Sequence, residues 1–180
     1  MKKAFLIVLA LFTVTVFADG HNHLANSKVE WKAYKVIGGG HNGEIPITHS
    51  KLKLDEGKLI SGEIHFSVKD ATVTDLTGEW AKKFLGHIKS GDFFEVEKYP
   101  TAVLKLNSVR NNVGTGTLTI KDKTNPIKIQ FNRKGKTYSG EVSFDRTDYG
   151  IIYGSQNFFK NLGDKAISNN VDVTFSLELK

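Results

Sequence analysis

The repeated alternation of apolar and polar residues is the feature that most constrains the fold of this 180-residue chain. It is clearest near the end, where polar residues separate Val171, Val173, Phe175, Leu177 and Leu179. A period of two is typical of a strand with one buried face and one wet face. Because parallel strands are usually buried on both faces, this pattern favours antiparallel sheets.

The chain contains about eight such runs, which predict an all-β fold. They lie near residues 28–37, 45–54, 60–68, 102–106, 118–120, 127–131, 138–144 and 171–179. Single-faced strands at regular spacing either close into a barrel or pair into a sandwich. An eight-stranded barrel is just wide enough to hold a small ligand or to be filled by side chains, and the residues alone do not decide between these outcomes.

One stretch, about residues 78–90, predicts an α-helix. Thr77 is the expected N-cap, and Gly91 is the expected left-handed residue that ends the helix. We expect one apolar stripe to be buried against the open end or the edge of a sheet. This stripe consists of Trp80, Ala81, Phe84, Leu85 and Ile88, and Phe93 and Phe94 follow it closely.

Residues 1–18 have the pattern of a secretory signal peptide. Two lysines precede a long apolar run, and small residues at Val16 and Ala18 give a cleavage site before Asp19. The sequence therefore predicts that residues 19–180 form one domain that is periplasmic or secreted. The absence of cysteine is consistent with an exported protein that carries no disulfide framework.

Charge argues against nucleic acid as a partner. Removal of two lysines with the signal peptide lowers the formal net charge from +6 to +4. The lysines are spread along the strands and do not form a stripe with aromatic residues. A weak attraction to anionic membrane surfaces remains open. No sequence motif indicates a cofactor. The sequence does not determine the oligomeric state, and a dimer is one of the alternatives.

The expected new N-terminus would be a chelator for Cu(II) or Ni(II). Cleavage after Ala18 exposes the amine of Asp19, followed by Gly20 and His21. The amine, two backbone nitrogens and the imidazole can form the square of nitrogen ligands that these ions prefer. Binding would release protons and strengthen as the pH rises. His23 is a candidate further ligand.

Four runs of sequence resemble the YceI-like family of exported, lipocalin-like proteins associated with polyisoprenoid binding. They are residues 31–35 with His41-Asn42-Gly43, residues 84–100, residues 116–129 and residues 144–163. The resemblance implies an eight-stranded antiparallel lipocalin-like barrel with a helix near its mouth and a long apolar cavity. The chain differs from better-known members by a longer insertion at residues 152–159, and we expect a short helical segment near 156–162.

If the barrel is hollow, as the resemblance implies, aromatic residues of the strands and the helix become candidates for its ligand-binding wall. The candidate ligand-binding residues are Trp31, Phe66, Trp80, Phe84, His87, Phe93, Phe94, Phe131, Phe144, Arg146 and Phe175. Without a cavity, most of these aromatic residues would be ordinary core.

Three sets of polar residues have structural as well as functional interpretations. His87 is more simply a helix-end histidine bonded to backbone than a contact for a ligand head group, and Asp92 would cap the next turn. Arg146 and Asp148 share a strand face and would form an ion pair, although a buried Arg146 also suits a polar head group. The histidines at 41, 49 and 65 match no compact metal motif.

Three functions follow, in order of preference. The first is a non-catalytic carrier for an isoprenoid or another long lipid, such as one with a quinone-like tail. The second is an enzyme that acts on a small amphiphile at the barrel mouth, although no serine elbow, cysteine nucleophile or phosphate loop is present. The third is a filled barrel that presents a surface to a protein partner.

Overall fold

The computed structural model describes residues 23–180, so the predicted signal peptide and the residues Asp19, Gly20 and His21 lie outside the described part. The strands are β1 (Lys28–Lys35), β2 (Gly40–Glu44), β3 (Ile47–Asp55), β4 (Lys58–Ser67), β5 (Thr101–Arg110), β6 (Val113–Ile120), β7 (Lys123–Gln130), β8 (Asn132–Lys134), β9 (Thr137–Asp145) and β10 (Ile167–Glu178). The helix α1 (Gly78–Lys89) lies between β4 and β5, and short 3-10 helices span Arg146–Tyr149 and Gly163–Lys165.

The strands form two antiparallel sheets of five strands each, in the orders β2-β1-β10-β9-β8 and β3-β4-β5-β6-β7. The all-β prediction is confirmed, but ten strands replace the expected eight. The additional strands are β2 and β8, which continue β3 and β7 after short breaks at residues 45–46 and at Phe131. Two long strands therefore bend at corners and change sheet, and strand pairing does not close the described chain into a barrel.

Alternation explains which face of each strand is buried. On β1, Val29 and Trp31 are buried while Glu30 and Lys32 are exposed. Antiparallel pairing sets Val29 opposite Phe175 of β10 and Trp31 opposite Val173. Because side chains of opposed residues lie on the same face, these four side chains share the interior.

The two ends of this sandwich differ, and we name them the closed end and the open end. The closed end holds the buried residues Leu24, Leu59, Tyr138 and Leu179. Leu24 forms a bridge with Leu179, and the N–H of Leu59 donates to the Tyr138 hydroxyl at 2.9 Å. At the opposite, open end, β1 finishes, β10 begins and α1 crosses.

The helix α1 has nearly the predicted bounds but different caps. Thr77 occupies the N-cap position with extended backbone, yet its side chain makes no capping hydrogen bond. Ser90 is the C-cap, and its N–H donates to the carbonyl of His87 at 3.0 Å. Gly91 is not left-handed, so this predicted ending is wrong. Between residues 23 and 180, no helix combines the length and apolar character needed to cross a membrane.

The predicted burial of the helical stripe is wrong for Trp80. Its side chain is 74% exposed, and no residue of α1 is fully buried. Phe84, one turn later, packs on Trp31 with ring centroids 6.2 Å apart. Only the later turns of the helix therefore meet the sheets, and the Trp80 ring has Lys83 Nζ 5.6 Å from its centroid.

The segment 156–162 forms turns, so the predicted short helix there is wrong. The N–H groups of Phe158 and Phe159 both donate to the carbonyl of Ser155, at 3.1 and 2.9 Å. Asn161 then adopts a positive φ of 60°, a left-handed conformation that an α-helix cannot propagate through. The neighbouring 3-10 helices lie on either side of this segment.

Candidate ligand-binding cavity

A cavity of about 620 Å³ lies between the two sheets and extends to the open end. Side chains of both sheets and of α1 line it, so the interior is hollow here rather than filled. Its aliphatic wall includes Val68, Leu104, Leu106, Leu118, Ile120, Ile127, Ile129, Val142, Ile151, Ile167, Val171, Val173 and Leu177. The volume lies within the usual range for small-molecule sites.

Ten of the eleven residues that the sequence nominates line this cavity. They are Trp31, Phe66, Phe84, His87, Phe93, Phe94, Phe131, Phe144, Arg146 and Phe175. Trp80 does not line it, in keeping with its exposure.

Sequence reasoning missed the aliphatic wall and the rim of the cavity. It selected aromatic residues, although Val142 and Val173 lie two positions from Phe144 and Phe175 on the same faces. Counting every second residue from each chosen aromatic would have found them. Lys35, Gly39 and Gly40 lie where β1 gives way to β2, and their sequence carries no comparable pattern.

Trp31 is held in the wall by a segment that passes over β2. Its indole N–H donates to the carbonyl of Thr72 at 3.1 Å. This carbonyl lies so close to Gly43 that a Cβ there would approach it to 1.8 Å. A side chain at Gly43 would therefore displace the segment and remove the partner of the Trp31 indole.

His41 lines the open end of the cavity and is oriented by a carboxylate. Its Nδ1 lies 2.8 Å from Asp75 Oδ2, and the backbone N–H of Asn42 donates to Asp75 Oδ1 at 3.0 Å. Partial burial acts to raise the pKa of Asp75, but the hydrogen bonds from Asn42 and His41 outweigh it and hold the pKa below its ordinary value. The His41 ring also packs 4.5 Å from that of Phe84.

His87 makes a second histidine–carboxylate contact at the same end. Its Nε2 lies 3.1 Å from Asp92 Oδ2, so the predicted backbone bond of the ring is wrong. The predicted capping role of Asp92 also fails, because Ser90 Oγ accepts from the Asp92 N–H and donates to the His87 carbonyl. The His87 ring meets Phe93 and Tyr153 edge-on, with centroids 5.1 and 4.9 Å apart.

Arg146 is a buried cation in the cavity wall, with 3% of its surface exposed. The predicted pair with Asp148 does not form, because both residues lie in a 3-10 helix rather than on a strand. The guanidinium instead donates to the carbonyls of Ile151, Ile167 and Ser168. Burial lowers the pKa of the guanidinium, and the nearby Asp145 charge opposes that effect.

The wall as a whole offers apolar contact and positive charge. The positive charge comes from Lys35, Lys89 and Arg146, and His41 and His87 add polar rings, but the wall contains no carboxylate, aliphatic hydroxyl or amide. Such a site can bury a long apolar molecule and meet a polar or anionic end at the open end. Within residues 23–180, no three His, Cys, Asp or Glu side chains are grouped to hold a metal ion.

Antiparallel sheets around an apolar cavity, with a helix at its mouth, define a lipocalin-like protein. The chain belongs to the YceI-like family, because the family model of the YceI-like domain matches residues 22–179. The sequence resemblance is thereby confirmed.

Relatives and solved structures agree with this assignment. A UPF0312 protein of Pseudomonas syringae pv. tomato is 26% identical, with 97% of each chain covered. BcnA of Burkholderia cenocepacia has a TM-score of 0.64 at 19% identity, covering 86% of this chain and 96% of that one. A polyisoprenoid binding domain from Saccharophagus degradans has a TM-score of 0.60 at 14% identity, covering 89% and 100%. At these identities the two structures show a shared fold.

Proposed function

We propose that this protein is an exported, non-catalytic binding protein that holds a long apolar lipid, such as a polyisoprenoid or a quinone-like tail, in its cavity. The observation that carries the proposal is the largely apolar wall of that cavity, which contains no serine, threonine, cysteine or carboxylate. The similar domain from Saccharophagus degradans is described as polyisoprenoid-binding. The signal-peptide pattern of residues 1–18 supports export.

Affinity would come mostly from apolar burial. Each Å² removed from water is worth about 25 cal/mol, before the loss of freedom of a flexible chain is subtracted. The cationic groups near the open end favour a ligand whose polar end stays there while its tail lies between the sheets. The wall contains no carboxylate, amide or aliphatic hydroxyl that could recognise polar groups along the tail, so tail length and shape would determine selectivity.

The decisive experiment is native mass spectrometry of protein purified from its own cell envelope, with the bound lipid then identified after extraction. Val173→Trp is expected to place an indole ring in the cavity and strongly reduce lipid retention. Thr174→Trp is the matched control, because Thr174 is the exposed neighbour on the same strand. Equal retention by both variants, each shown to be folded, would refute binding in this cavity.

A second variant tests the polarity of the wall. Phe175→Ser places a hydroxyl in the cavity and is expected to reduce retention in protein that remains folded. Because Phe175 also packs against Phe131, with centroids 5.8 Å apart, folding must be checked by circular dichroism. Unchanged retention in a folded variant would exclude Phe175 from the ligand site.

A further inference from the structure

Exposed apolar side chains are concentrated at one end of the protein. Of the eight large hydrophobic residues that are exposed in residues 23–180, only Leu54 lies away from the open end. The other seven, which we name the apolar rim, are Tyr34, Val36, Ile37, Trp80, Tyr153, Phe158 and Phe159. Single exposed hydrophobic residues are common, whereas a concentration of them marks an interaction surface.

Direct contacts join the three segments that carry the rim. The N–H of Val36 donates to the carbonyl of Ala166 at 2.9 Å, which ties the end of β1 to the segment after Tyr153. His87 of α1 contacts Tyr153, with ring centroids 4.9 Å apart. Phe84 of α1 contacts His41 at the start of β2. The segments that carry the rim are therefore neighbours at the open end.

The rim is also continuous with the cavity. Tyr34 and Tyr153 are exposed, and both line the cavity. Lys35 and Gly40, beside Tyr34, line it too. A molecule that leaves the cavity at this end passes directly between rim side chains.

The three segments that carry the rim contain more positive than negative charge. Residues 34–40, 78–89 and 151–166 contain six lysines but only two carboxylates, Glu79 and Asp164. Asp75 and Asp92, which flank the same end, are each bonded to a histidine. Aromatic residues together with lysines are the composition that settles at the boundary between lipid head groups and acyl chains.

We infer that the apolar rim docks this protein, open end first, onto an anionic lipid bilayer. The exposed aromatic side chains would enter the head-group region while the lysines contact anionic head groups. Lipid could then pass between bilayer and cavity without crossing water. This transfer rests on the proposed lipid binding, whereas docking itself does not.

A second copy of the chain fits the rim less well than a bilayer. A stable dimer buries about 800 Å² from each partner. In a two-fold dimer each rim would face its own copy, so the lysines of residues 34–40, 78–89 and 151–166 would oppose like charges. A bilayer with anionic lipids instead complements that charge.

The test uses the full mature chain and phosphatidylcholine vesicles, with and without phosphatidylglycerol. We expect co-sedimentation with the anionic vesicles and weaker binding to the neutral ones. Trp80 is exposed while Trp31 is only 8% exposed, so tryptophan fluorescence should be quenched by brominated acyl chains mainly through Trp80. Trp80→Phe should remove that quenching while vesicle binding persists.

Matched variants distinguish binding through the rim from non-specific adsorption to vesicles. Phe158→Ser with Phe159→Ser should weaken binding to anionic vesicles by about tenfold or more. Leu54→Ser, an exposed apolar residue of the β3–β4 hairpin at the closed end, should not change it. Lys82→Glu with Lys83→Glu should weaken binding roughly fivefold or more and reduce the preference for phosphatidylglycerol. Lys58→Glu, in the β3–β4 hairpin at the closed end, should change neither the binding nor the preference.

Two results would overturn docking. One is vesicle binding that is absent or is equally strong in the rim and Leu54 variants. The other is a dimer of residues 19–180 in sedimentation that dissociates when Phe158 and Phe159 are both replaced by serine. The rim would then be covered by a second copy of the chain. Lipid retention measured by native mass spectrometry is independent of both, so docking can fail while the proposed function stands, and the reverse also holds.

Discussion

The closed end and the open end are made from the same eight long strands, two of them bent, yet they treat apolar side chains in opposite ways. At the closed end, Leu59 and Tyr138 are buried and joined by a hydrogen bond. At the open end, Trp80 and Phe158 are more than half exposed, and a cavity separates the sheets. Packing density is high at one end and is given up at the other, where a ligand can supply the missing contacts.

Residues that determine stability and residues that would bind ligand therefore lie at different ends of the same strands. A side chain at the closed end is surrounded by protein, so its removal leaves a void. A side chain in the cavity wall already borders a void, so its removal mainly enlarges the binding space.

Leu59→Ala should lower the free energy of unfolding by about 2–5 kcal/mol, because Leu59 is buried at the closed end. Urea denaturation provides the measurement. Leu54→Ala is the control, since Leu54 is paired with Leu59 across β3 and β4 but is 40% exposed. Equal losses in the two variants would remove the basis for a densely packed closed end.

Tyr138→Phe should lower the free energy of unfolding by about 1–3 kcal/mol, because the buried N–H of Leu59 loses its acceptor. Tyr153→Phe at the open end should stay within about 0.5 kcal/mol of the parent protein, since Tyr153 is exposed. Thermal melts of both variants check the difference. A larger loss from Tyr153→Phe would contradict the comparison.

Phe84→Ala should lower the free energy of unfolding by only about 1–2 kcal/mol, because Phe84 is partly exposed and borders the cavity. A fully buried phenylalanine would give about 3–5 kcal/mol. Lipid retention should fall more clearly than stability does, and native mass spectrometry would show it. A loss as large as that of Leu59→Ala, with retention intact, would mean that α1 belongs to the core.

Asp75→Asn tests the electrostatics of the open end. Because the folded-state pKa of Asp75 lies below its ordinary value of 3.8, its stabilising effect is present above that pH and is lost as the pH falls through the folded-state pKa. Since the carboxylate is partly exposed, we expect about 0.5 kcal/mol or less at neutral pH. The difference in melting temperature from the parent should vanish in acid, and its persistence there would exclude this mechanism.

Cu(II) binding at the N-terminus is expected to have the smallest effect on lipid binding in the cavity. If cleavage occurs after Ala18, the chelate of Asp19, Gly20 and His21 should appear as a visible absorption band on titration. His23 lies at the closed end, where its Nδ1 accepts from the Leu52 N–H at 2.9 Å. Metal binding should therefore leave lipid retention unchanged. A version with one extra N-terminal residue should not form the chelate, and equal binding by it would refute the site.

The alternation predicts the long strands because a buried face repeats at every second residue. It does not predict β2, whose sequence from Gly40 to Glu44 contains no large apolar residue, or β8, which is wholly polar. These two segments are strands because they continue β3 and β7 around a corner. Their conformation depends on tertiary context rather than on local pattern.

The site was predictable in part for a related reason. A sequence shows which side chains gain from burial, but it does not show whether a surface is available to cover them. Trp80 and Phe84 lie on one helical stripe, yet only Phe84 meets the sheet. The partners of Arg146 were equally unpredictable. The chain enters a 3-10 helix at Arg146, and its guanidinium donates to three backbone carbonyls instead of pairing with the Asp148 carboxylate.

The bent strands bear on aggregation. A sheet edge that is long, flat and apolar invites pairing with another molecule. Here β8 has only three residues, including Arg133 and Lys134, and β7 contains Pro126, which has no N–H to offer. At the other corner, Pro46 interrupts the passage from β2 to β3. Three of the four edge strands, β2, β7 and β8, are therefore short or contain proline, which limits edge-to-edge pairing between neighbouring molecules.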